Sequence, residues 1–152
     1  MSSAPSEAKP APAVDDFLCF AIYSAGHAFN RVYKPLLEAL GLTYPQYLVM
    51  VALWAKDDQT VGQLGDTLFL ESSTLTPLLK RLEALGLVAR QRDPADERQV
   101  RVRLTEAGAV LRGKASDVPQ CLLAASGMTE DALRQLQAQI STLRDNLLKS
   151  TA

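Results

Sequence analysis

Two cysteines could support redox chemistry in this sequence, Cys19 near its start and Cys121 in its last third. Asp15 and Asp16 precede Cys19 and should open a helix, because acidic residues are favoured at a helix N-terminus. Cys19 would then lie in the first turn, where the positive helix end favours the thiolate. A thiolate reacts with a peroxide to give a sulfenic acid, which condenses with a second thiol to a disulfide. A buried, inert cysteine is nevertheless the more common outcome for such a residue.

Tyr33 and Tyr44 are phenols that could donate hydrogen bonds to such a thiolate. We expect Pro35 to break or kink the first helix, with a short helix continuing from there and ending at Gly41. Either tyrosine could then fold back towards Cys19. From the residues alone, two core tyrosines are the commoner interpretation, and both interpretations stay open at this point.

The sequence of the middle third of the chain predicts a helix, a turn and a second helix, the elements that would carry a DNA-binding surface. A short helix over Val61–Leu68 follows a capping box in which Thr60 and Gln63 exchange hydrogen bonds. After a turn, Ser72 is a good N-cap for a second helix that ends at Gly86. Its apolar positions have helical spacing and should form one buried stripe, made of Leu75, Leu78, Leu79, Leu82 and Leu85.

The other side of this second helix carries short hydrogen-bonding groups first and cations later. A helix in the major groove of DNA uses its first turns for base edges and its later turns for phosphates, so this order fits DNA recognition. The DNA-binding candidates on this helix are Ser72, Ser73, Thr74, Thr76, Lys80 and Arg81.

Two strands, over residues 87–92 and 98–104, should form a hairpin around the turn residues 93–96. Residues 80–103 hold seven cations and four acids, a net charge of plus three, whereas the whole chain has a net charge of −1. The order helix, turn, helix and hairpin is typical of a winged helix–turn–helix. Each part alone could equally be an ordinary amphipathic helix or a solvated charged hairpin. The full order of helix, turn, helix and hairpin favours DNA binding. The wing adds the DNA-binding candidates Arg92, Asp96 and Arg98.

A helix over Tyr44–Ala55 should precede this unit. Thr43 and Gln46 form its capping box, with a proline in the first turn. The expected core residues of this helix are Tyr47, Leu48, Val51 and Trp54.

Two further helices should follow the wing. Thr105 should cap a long helix that reaches Ala125 with a kink at Pro119, and Thr129 should cap the last helix. In the last helix, apolar residues recur at the spacing that packs one helix against another: Leu133, Leu136, Ile140, Leu143 and Leu147. This pattern predicts a homodimer, with packing inside one subunit as the alternative.

Length and composition fit a single domain. With 152 residues, 47% of them hydrophobic, the chain can build a core and is not disordered, and its net charge argues against a non-specific nucleic-acid coat. His27 is the only histidine and the two cysteines lack ligand spacing, so we expect no zinc site and no other cofactor. No apolar run reaches membrane-spanning length, so we expect no membrane partner.

We therefore predict a mainly α-helical protein with a small β-wing, a winged helix–turn–helix that forms an α-helical homodimer. Its expected parts are a flexible tail over residues 1–13, N-terminal helices for dimerisation and sensing over 14–58, the winged helix–turn–helix over 59–108, and C-terminal dimerisation helices over 109–152.

The stretch D-P-A-D-E-R-Q-V-R-V-R-L-T-E-A-G at 93–108 resembles the wing signature of the multiple-antibiotic-resistance regulator (MarR) family, in which an Asp-x-Arg turn ends in L-T-x-x-G. The resemblance implies that Arg98 enters the minor groove of double-stranded operator DNA and that Asp96 holds it in place. It also implies a homodimer whose recognition helices lie about one DNA turn, about 34 Å, apart, and a cytoplasmic protein of a bacterium.

Cys19, Tyr33 and L-T-Y-P-Q-Y at 42–47, together with S-T-L-T-P-L-L-K-R-L-E at 73–83, resemble the thiol-based, organic hydroperoxide resistance branch of this family over residues 14–149. The resemblance implies that Cys19 is the peroxidatic residue and that Tyr33 and Tyr44 hydrogen-bond to it. Cys121 fits the branch members that resolve the sulfenic acid by an intersubunit disulfide. The implied function is a repressor that binds a pseudo-palindromic operator when reduced and releases it when an organic hydroperoxide oxidises Cys19.

Three alternative functions remain open. A ligand-responsive MarR-type repressor would bind a phenolic compound and use no thiol chemistry. A thiol peroxidase would turn over peroxide at Cys19, but the chain has no thioredoxin-like βαβ pattern, so we expect no enzyme. A winged helix that binds only protein is the third alternative, and a DNA shift assay would distinguish it.

Overall fold

The computed structural model describes residues 9–152, so residues 1–8 of the predicted tail lie outside the described part. Within that part, seven α-helices surround a three-stranded antiparallel sheet of order β1-β3-β2. In chain order the elements are α1 (Leu18–Glu38), α2 (Tyr44–Ala55), β1 (Gln59–Thr60), α3 (Val61–Leu68), α4 (Ser72–Ala84), β2 (Val88–Arg92), β3 (Val100–Leu104), α5 (Glu106–Lys114), α6 (Val118–Ser126) and α7 (Glu130–Ser150). This mainly α-helical winged helix–turn–helix confirms the predicted fold class. None of the helices in residues 9–152 combines the length and apolarity needed to span a membrane.

The first helix differs from the prediction at both ends. Val14–Asp16 forms a separate 3₁₀ turn, so the two aspartates precede α1 instead of opening it. Pro35 does not break the helix, which continues to Glu38. An internal proline removes one backbone hydrogen bond, and the burial of Leu37, which is only 2% exposed, offsets that loss. Gly41 follows with the left-handed φ of 72° that was expected of a helix stop.

Both predicted capping boxes are present. Thr43 accepts from the backbone N–H of Gln46 at 3.4 Å while the Gln46 side chain accepts from the Thr43 N–H at 3.0 Å. Thr60 and Gln63 make the same exchange at 3.1 and 2.9 Å. These side chains satisfy amides that a helix start leaves without partners, so α2 and α3 begin where the sequence indicates.

The recognition helix α4 begins one residue differently from the prediction. Glu71 occupies the N-cap position without a side-chain bond, and Ser72 is the first helical residue. Leu75, Leu79 and Leu82 are fully buried as expected. Leu85 was wrongly placed in the core, since it is 53% exposed. It lies at the C-cap, where the chain already turns away from the helix axis.

The sheet holds one strand that the sequence did not predict. Gln59 and Thr60 pair with β3, with Gln59 opposite Val102, and so attach the wing to the start of α3. In the wing itself, Val88 pairs with Leu104 and Arg92 with Val100, as a hairpin requires. A two-residue strand carries no periodic pattern, which is why it was missed.

Gly108 joins the sheet to the helical body by a close backbone approach. A Cβ at this position would collide with the backbone carbonyl of Leu87, so only glycine fits. The carbonyl of Gly108 accepts a 2.8 Å hydrogen bond from Nε1 of Trp54. This contact fixes α5 against α2. Of the other expected core residues of α2, Tyr47 is buried, Leu48 is half-buried and Val51 is exposed, so Val51 was wrong.

The chain after the wing forms two helices instead of one kinked helix. α5 ends at Lys114 and α6 begins at Val118, with Pro119 in its first turn, where a proline is tolerated. Thr105 and Thr129 cap α5 and α7 as predicted, each accepting from a backbone N–H at 3.1 Å.

Helix α7 buries no residue within its own chain. Leu136, Ile140 and Leu147 of the predicted seam are between 40% and 58% exposed. Packing of the seam inside one subunit, the alternative to dimerisation, is therefore contradicted for these three residues. An apolar helical face of this extent requires a partner outside the chain.

Candidate functional site

Cys19 is the second residue of α1 and its side chain is exposed. Cys121 lies in α6 and is partly exposed. Both are free thiols. The predicted position of Cys19 in the first turn of a helix is therefore correct, whereas the common alternative of a buried, inert cysteine does not describe this thiol in the single chain.

Within one chain, Cys19 and Tyr33 cannot meet. Both lie on α1, fourteen positions apart. At a rise of about 1.5 Å per residue the two positions are about 21 Å apart along the helix axis. The expectation that Tyr33 folds back at Pro35 is wrong, because α1 continues through that proline.

Tyr33 and Tyr44 instead belong to a cluster of aromatic rings. The ring centres of Tyr33 and Tyr44 are 4.8 Å apart, and Tyr47 lies 5.9 Å from Tyr33. Trp54 extends the cluster, at 6.3 Å from Tyr47. These separations are typical of stabilising aromatic pairs. The cluster thus places two phenols side by side between α1 and α2.

Burial raises the pKa values of these phenols above their usual range. Burial, with the nearby hydroxyls of Tyr44 and Tyr47, raises the pKa of Tyr33 to about 12. Burial also raises the pKa of Tyr44, and burial together with Tyr44 raises that of Tyr47. All three phenols therefore stay protonated at neutral pH, and each can donate its O–H to an anion.

A groove of about 720 Å³ opens beside this cluster. Tyr33 and Tyr44 form one wall, and α6 and α7 form the other. In the sequence, Cys121 stands between Gln120 and Leu122, which both line the groove. The apolar lining residues of the second wall are Pro119, Leu122, Leu123, Leu133, Leu136 and Ile140. The groove, defined by these two walls, is called the sensing groove below.

The candidate DNA-reading surface lies on α4 and the wing. On α4, the exposed candidates are Ser72, Ser73, Thr74, Lys80 and Arg81, whereas Thr76 is half-buried. The apolar stripe of the same helix faces the core, so its polar groups are turned outwards. The surface has the order of groups that the sequence predicted, short hydroxyls first and cations later.

The wing turn is shaped by its own acids. Asp96 accepts a 3.1 Å bond from the backbone N–H of Arg98, and Asp93 accepts a 2.9 Å bond from that of Ala95. Arg92 donates to the carbonyl of Glu97 at 3.0 Å. Asp96 therefore fixes the backbone that carries Arg98, which leaves the exposed guanidinium of Arg98 to project from the turn.

Asp58 is a structural residue that the sequence did not reveal. Its carboxylate pairs with Nε of Arg101 at 2.8 Å and with Nε of Arg103 at 3.1 Å. Arg101 also reaches Asp93 at the root of the wing, at 3.2 Å. Hydrogen bonds from these arginines lower the pKa of Asp58, and bonds from Ala95 and Arg101 lower that of Asp93. These four charged residues (Asp58, Asp93, Arg101 and Arg103), called the wing clamp, tie the wing to the loop before β1.

Three comparisons with known proteins place the chain. A family model described as transcriptional regulator SarA/Rot matches residues 31–112. The organic hydroperoxide resistance transcriptional regulator of Bacillus subtilis is 43% identical over 134 residues, which cover 88% of this chain and 91% of that protein. The chain belongs to the MarR-type winged-helix transcriptional regulators, in their organic hydroperoxide resistance branch. The regulator TtmR of Methylorubrum extorquens is 50% identical over 88% of this chain and 69% of its own length.

Solved structures support this family membership. AbfR of Staphylococcus epidermidis is 36% identical and superimposes with a TM-score of 0.75, over 87% of this chain and 91% of that one. Reduced AbfR bound to DNA superimposes at 0.68 with 34% identity, over 86% and 91% of the two chains. AbfR in its disulfide form superimposes at 0.64 with 34% identity, over 87% and 90%. The relatives from Bacillus subtilis and Methylorubrum extorquens are named as transcriptional regulators.

Proposed function

We propose that the protein is a peroxide-sensing repressor whose reduced homodimer binds a pseudo-palindromic operator. An organic hydroperoxide oxidises Cys19, an intersubunit disulfide with Cys121 follows, and the dimer leaves the DNA. One observation carries the proposal: two protonated phenols form one wall of the sensing groove, the helix that carries Cys121 belongs to the other wall, and Cys19 is exposed at the start of α1.

The start of α1 from a second copy of the chain would lie at the sensing groove. The exposed apolar residues at the start of α1, Phe17, Leu18 and Ile22, need a partner surface. The groove lies beside the second half of α1, at Phe29 and Tyr33. If two α1 helices pair antiparallel, the start of one lies beside the second half of the other, and so beside its groove.

Gly26 fits the crossing point of such a pair. It lies seven positions from Cys19 and seven from Tyr33, so crossing at Gly26 sets Cys19 opposite Tyr33 of the second copy. A Cβ at Gly26 would meet nothing within 4 Å in the single chain, so this side of α1 is open. A helix without a side chain at the crossing allows close backbone approach.

The chemistry then follows in two steps. The Cys19 thiolate attacks the distal oxygen of the hydroperoxide, the O–O bond breaks, and the leaving alkoxide takes up a proton to become an alcohol. Phenol donors such as Tyr33 and Tyr44 stabilise the thiolate before attack. The Cys121 thiol then attacks the sulfenic sulfur of Cys19, water leaves, and the disulfide forms.

Disulfide formation changes the dimer because of its geometry. A disulfide requires Cα atoms within about 4.4 to 6.8 Å of each other. Drawing α1 of one copy towards α6 of the other shifts the terminal helices, and with them the spacing of the two α4 helices. Two recognition helices must lie about 34 Å apart to enter successive major grooves, so a changed spacing lowers affinity.

On DNA, the first turns of α4 would contact base edges in the major groove. Ser72, Ser73, Thr74 and Thr76 supply hydroxyls there, and Lys80, Arg81 and Arg92 supply charge for phosphates. Arg98, on the turn that Asp96 fixes, would enter the minor groove. The AbfR structures, one reduced and bound to DNA and one with a disulfide, support a repressor that works through its redox state.

A mixed-dimer crosslinking experiment tests the proposal. Cys19→Ser and Cys121→Ser chains are oxidised with cumene hydroperoxide, singly and as an equal mixture, and separated by non-reducing electrophoresis. We expect a crosslinked dimer in the mixture and none in either variant alone, since antiparallel α1 helices keep the two Cys19 residues about 21 Å apart. A wild-type chain that stays monomeric in the gel, with an internal disulfide, would contradict the intersubunit step.

The size and lining of the groove favour one second candidate. A groove of about 720 Å³ with two phenols and several leucines has the volume of a small-molecule site. A phenolic ligand seated there would also hold the terminal helices apart. Operator release by such a ligand in the presence of dithiothreitol, with no effect of hydroperoxide, would favour this ligand-responsive repressor.

A further inference from the structure

We propose that Arg144 is a positioning residue that couples the C-terminal helix α7 to the winged helix–turn–helix through the ring of Phe69. The guanidinium carbon of Arg144 lies 4.2 Å from the centre of that ring. Phe69 is the C-cap of α3 and opens the turn that leads, through Leu70 and Glu71, to the recognition helix α4. This inference rests on the proposed function, because it names the contact through which oxidation at α1 and α6 reaches α4.

Phe69 holds the turn in an unusual backbone conformation. With φ 56° and ψ 40° it is in the left-handed region, which a bulky residue rarely adopts. Its N–H donates to the carbonyl of Gly65, as does the N–H of Leu70 at 3.0 Å. A Cβ at Gly65 would lie 2.7 Å from the Leu70 carbonyl oxygen, so the turn is tightly closed. The backbone angles of Phe69 therefore set the angle between α3 and α4.

The ring of Phe69 is 55% exposed, so it is not held by the core. A ring outside the core needs another contact to fix it, and Arg144 supplies one. A guanidinium within about 6 Å of an aromatic face is attracted by the ring's negative electrostatic potential. Arg144 is itself oriented by Asp145, whose carboxylate lies 3.1 Å from its guanidinium.

Helix α7 is suited to carry a displacement to this contact. It is a continuous helix of 21 residues that buries none of them, and Gly127 provides a left-handed junction with α6 at its start. Its first half lines the sensing groove through Leu133, Leu136 and Ile140. Arg144 follows one turn later. A change in the groove that tilts α7 therefore moves the guanidinium against the ring in the turn between α3 and α4.

The coupling is measured as a ratio. For each variant, the dissociation constant for an operator duplex is determined in the reduced form and after oxidation by cumene hydroperoxide, and the oxidised value is divided by the reduced one. An exposed cation–π contact corresponds to about a two- to fivefold change in an equilibrium constant. We expect Arg144→Gln to lower the ratio about two- to fivefold and Arg144→Lys, which keeps a cation, to retain most of it.

Two further variants separate coupling from structure. Lys149→Gln removes a cation from the same helix without touching Phe69, so the wild-type ratio should persist. Phe69→Leu should lower the ratio as Arg144→Gln does, and the double variant should lower it no further, because both remove one contact. Phe69→Leu also serves as the test if Arg144→Gln fails to fold.

The outcomes distinguish this inference from the function on which it rests. If wild-type affinity falls on oxidation but Arg144→Gln and Phe69→Leu keep the full ratio, the coupling contact is refuted and the redox repressor stands. Loss of the ratio in Arg144→Lys as well would refute the role of the cation. If wild-type affinity does not change on oxidation, both proposals fail.

Discussion

Replacing Lys80 with glutamine should reduce the salt dependence of operator binding, and the ion pairs of the structure determine the wild-type dependence from which it falls. Residues 80–103 contain seven cations. Three of them form ion pairs within the described chain: Arg90 pairs with Glu83 at 3.2 Å, and Arg101 and Arg103 pair with Asp58. The four that remain for the duplex are Lys80, Arg81 and Arg92 at phosphates and Arg98 in the minor groove, and each of these charges displaces counterions from the DNA.

Two copies of the chain then present about eight cations to the duplex. The logarithm of the association constant falls with the logarithm of salt concentration by about 0.9 per neutralised phosphate, so the slope should be about −7. If all seven cations of each copy contacted phosphate, the slope would be about −13. Lys80→Gln removes one contact from each copy and should bring the slope to about −5.

Fluorescence anisotropy with a labelled operator duplex, selected from random sequence, measures this slope between about 50 and 200 mM salt. Lys34→Gln is the matched control, because it removes a cation from α1, away from the reading surface. A wild-type slope near −13 would show that Arg90 and the two wing clamp arginines contact phosphate after all. An unchanged slope in Lys80→Gln would remove that residue from the interface and refute the assigned surface of α4.

Three further predictions concern the fold, the wing and the thiol. Thr60→Ala should destabilise the protein by about 1 kcal/mol in urea unfolding, since it removes the cap of α3; an unchanged unfolding free energy would refute the role of the box. Because the folded-state pKa values of Asp58 and Asp93 are lowered, their contribution to stability is present above about pH 4 and is lost as the pH falls. Acid unfolding of Asp58→Asn should accordingly show a weaker pH dependence than the wild type, and an identical dependence would count against the clamp. Tyr33→Phe should slow oxidation of Cys19 about tenfold or more in a stopped-flow assay, through loss of a hydrogen bond to an anion. Tyr23→Phe, outside the ring cluster, should leave that rate unchanged. If Tyr33→Phe also reacts at the wild-type rate, the Tyr33 phenol is excluded from the thiol site.

Much of the fold could be read from local chemistry. The capping boxes at Thr43 and Thr60 fixed the starts of α2 and α3, because they satisfy amides within three residues of themselves. The glycine at position 86 ended α4 with φ 75°, as its lack of a Cβ permits. Alternation of Val100 and Val102 with arginines identified a strand of the wing.

The errors arose where distant contacts outweigh local preference. Pro35 was expected to break or kink α1, but the helix continues through it to Glu38 and buries Leu37. β1 is too short to have a pattern and forms only because β3 provides an edge. In the sequence, Asp58 looks like an ordinary loop residue. Only the fold brings it into contact with Arg101, which lies forty-three positions away.

The candidate thiol site shows the same limit more strongly. Its residue types could be chosen from the sequence and from the resemblance, and Cys19 lies at a helix start as expected. The arrangement of these residues could not be predicted from the sequence. Cys19 and Tyr33 lie on one unbroken helix and can meet only between two copies of the chain. Contacts of that kind are encoded by the surface of α1 and by the groove, and not by any spacing along the chain.

The most direct test of the central claim is the operator affinity of the wild-type protein and of Cys19→Ser, each measured before and after one equivalent of cumene hydroperoxide. The account predicts that oxidation raises the wild-type dissociation constant by at least about tenfold, which corresponds to about 1.4 kcal/mol. Dithiothreitol should reverse the change, and Cys19→Ser should bind equally under both conditions. Equal loss of DNA by Cys19→Ser, or unchanged wild-type binding after oxidation, would contradict it.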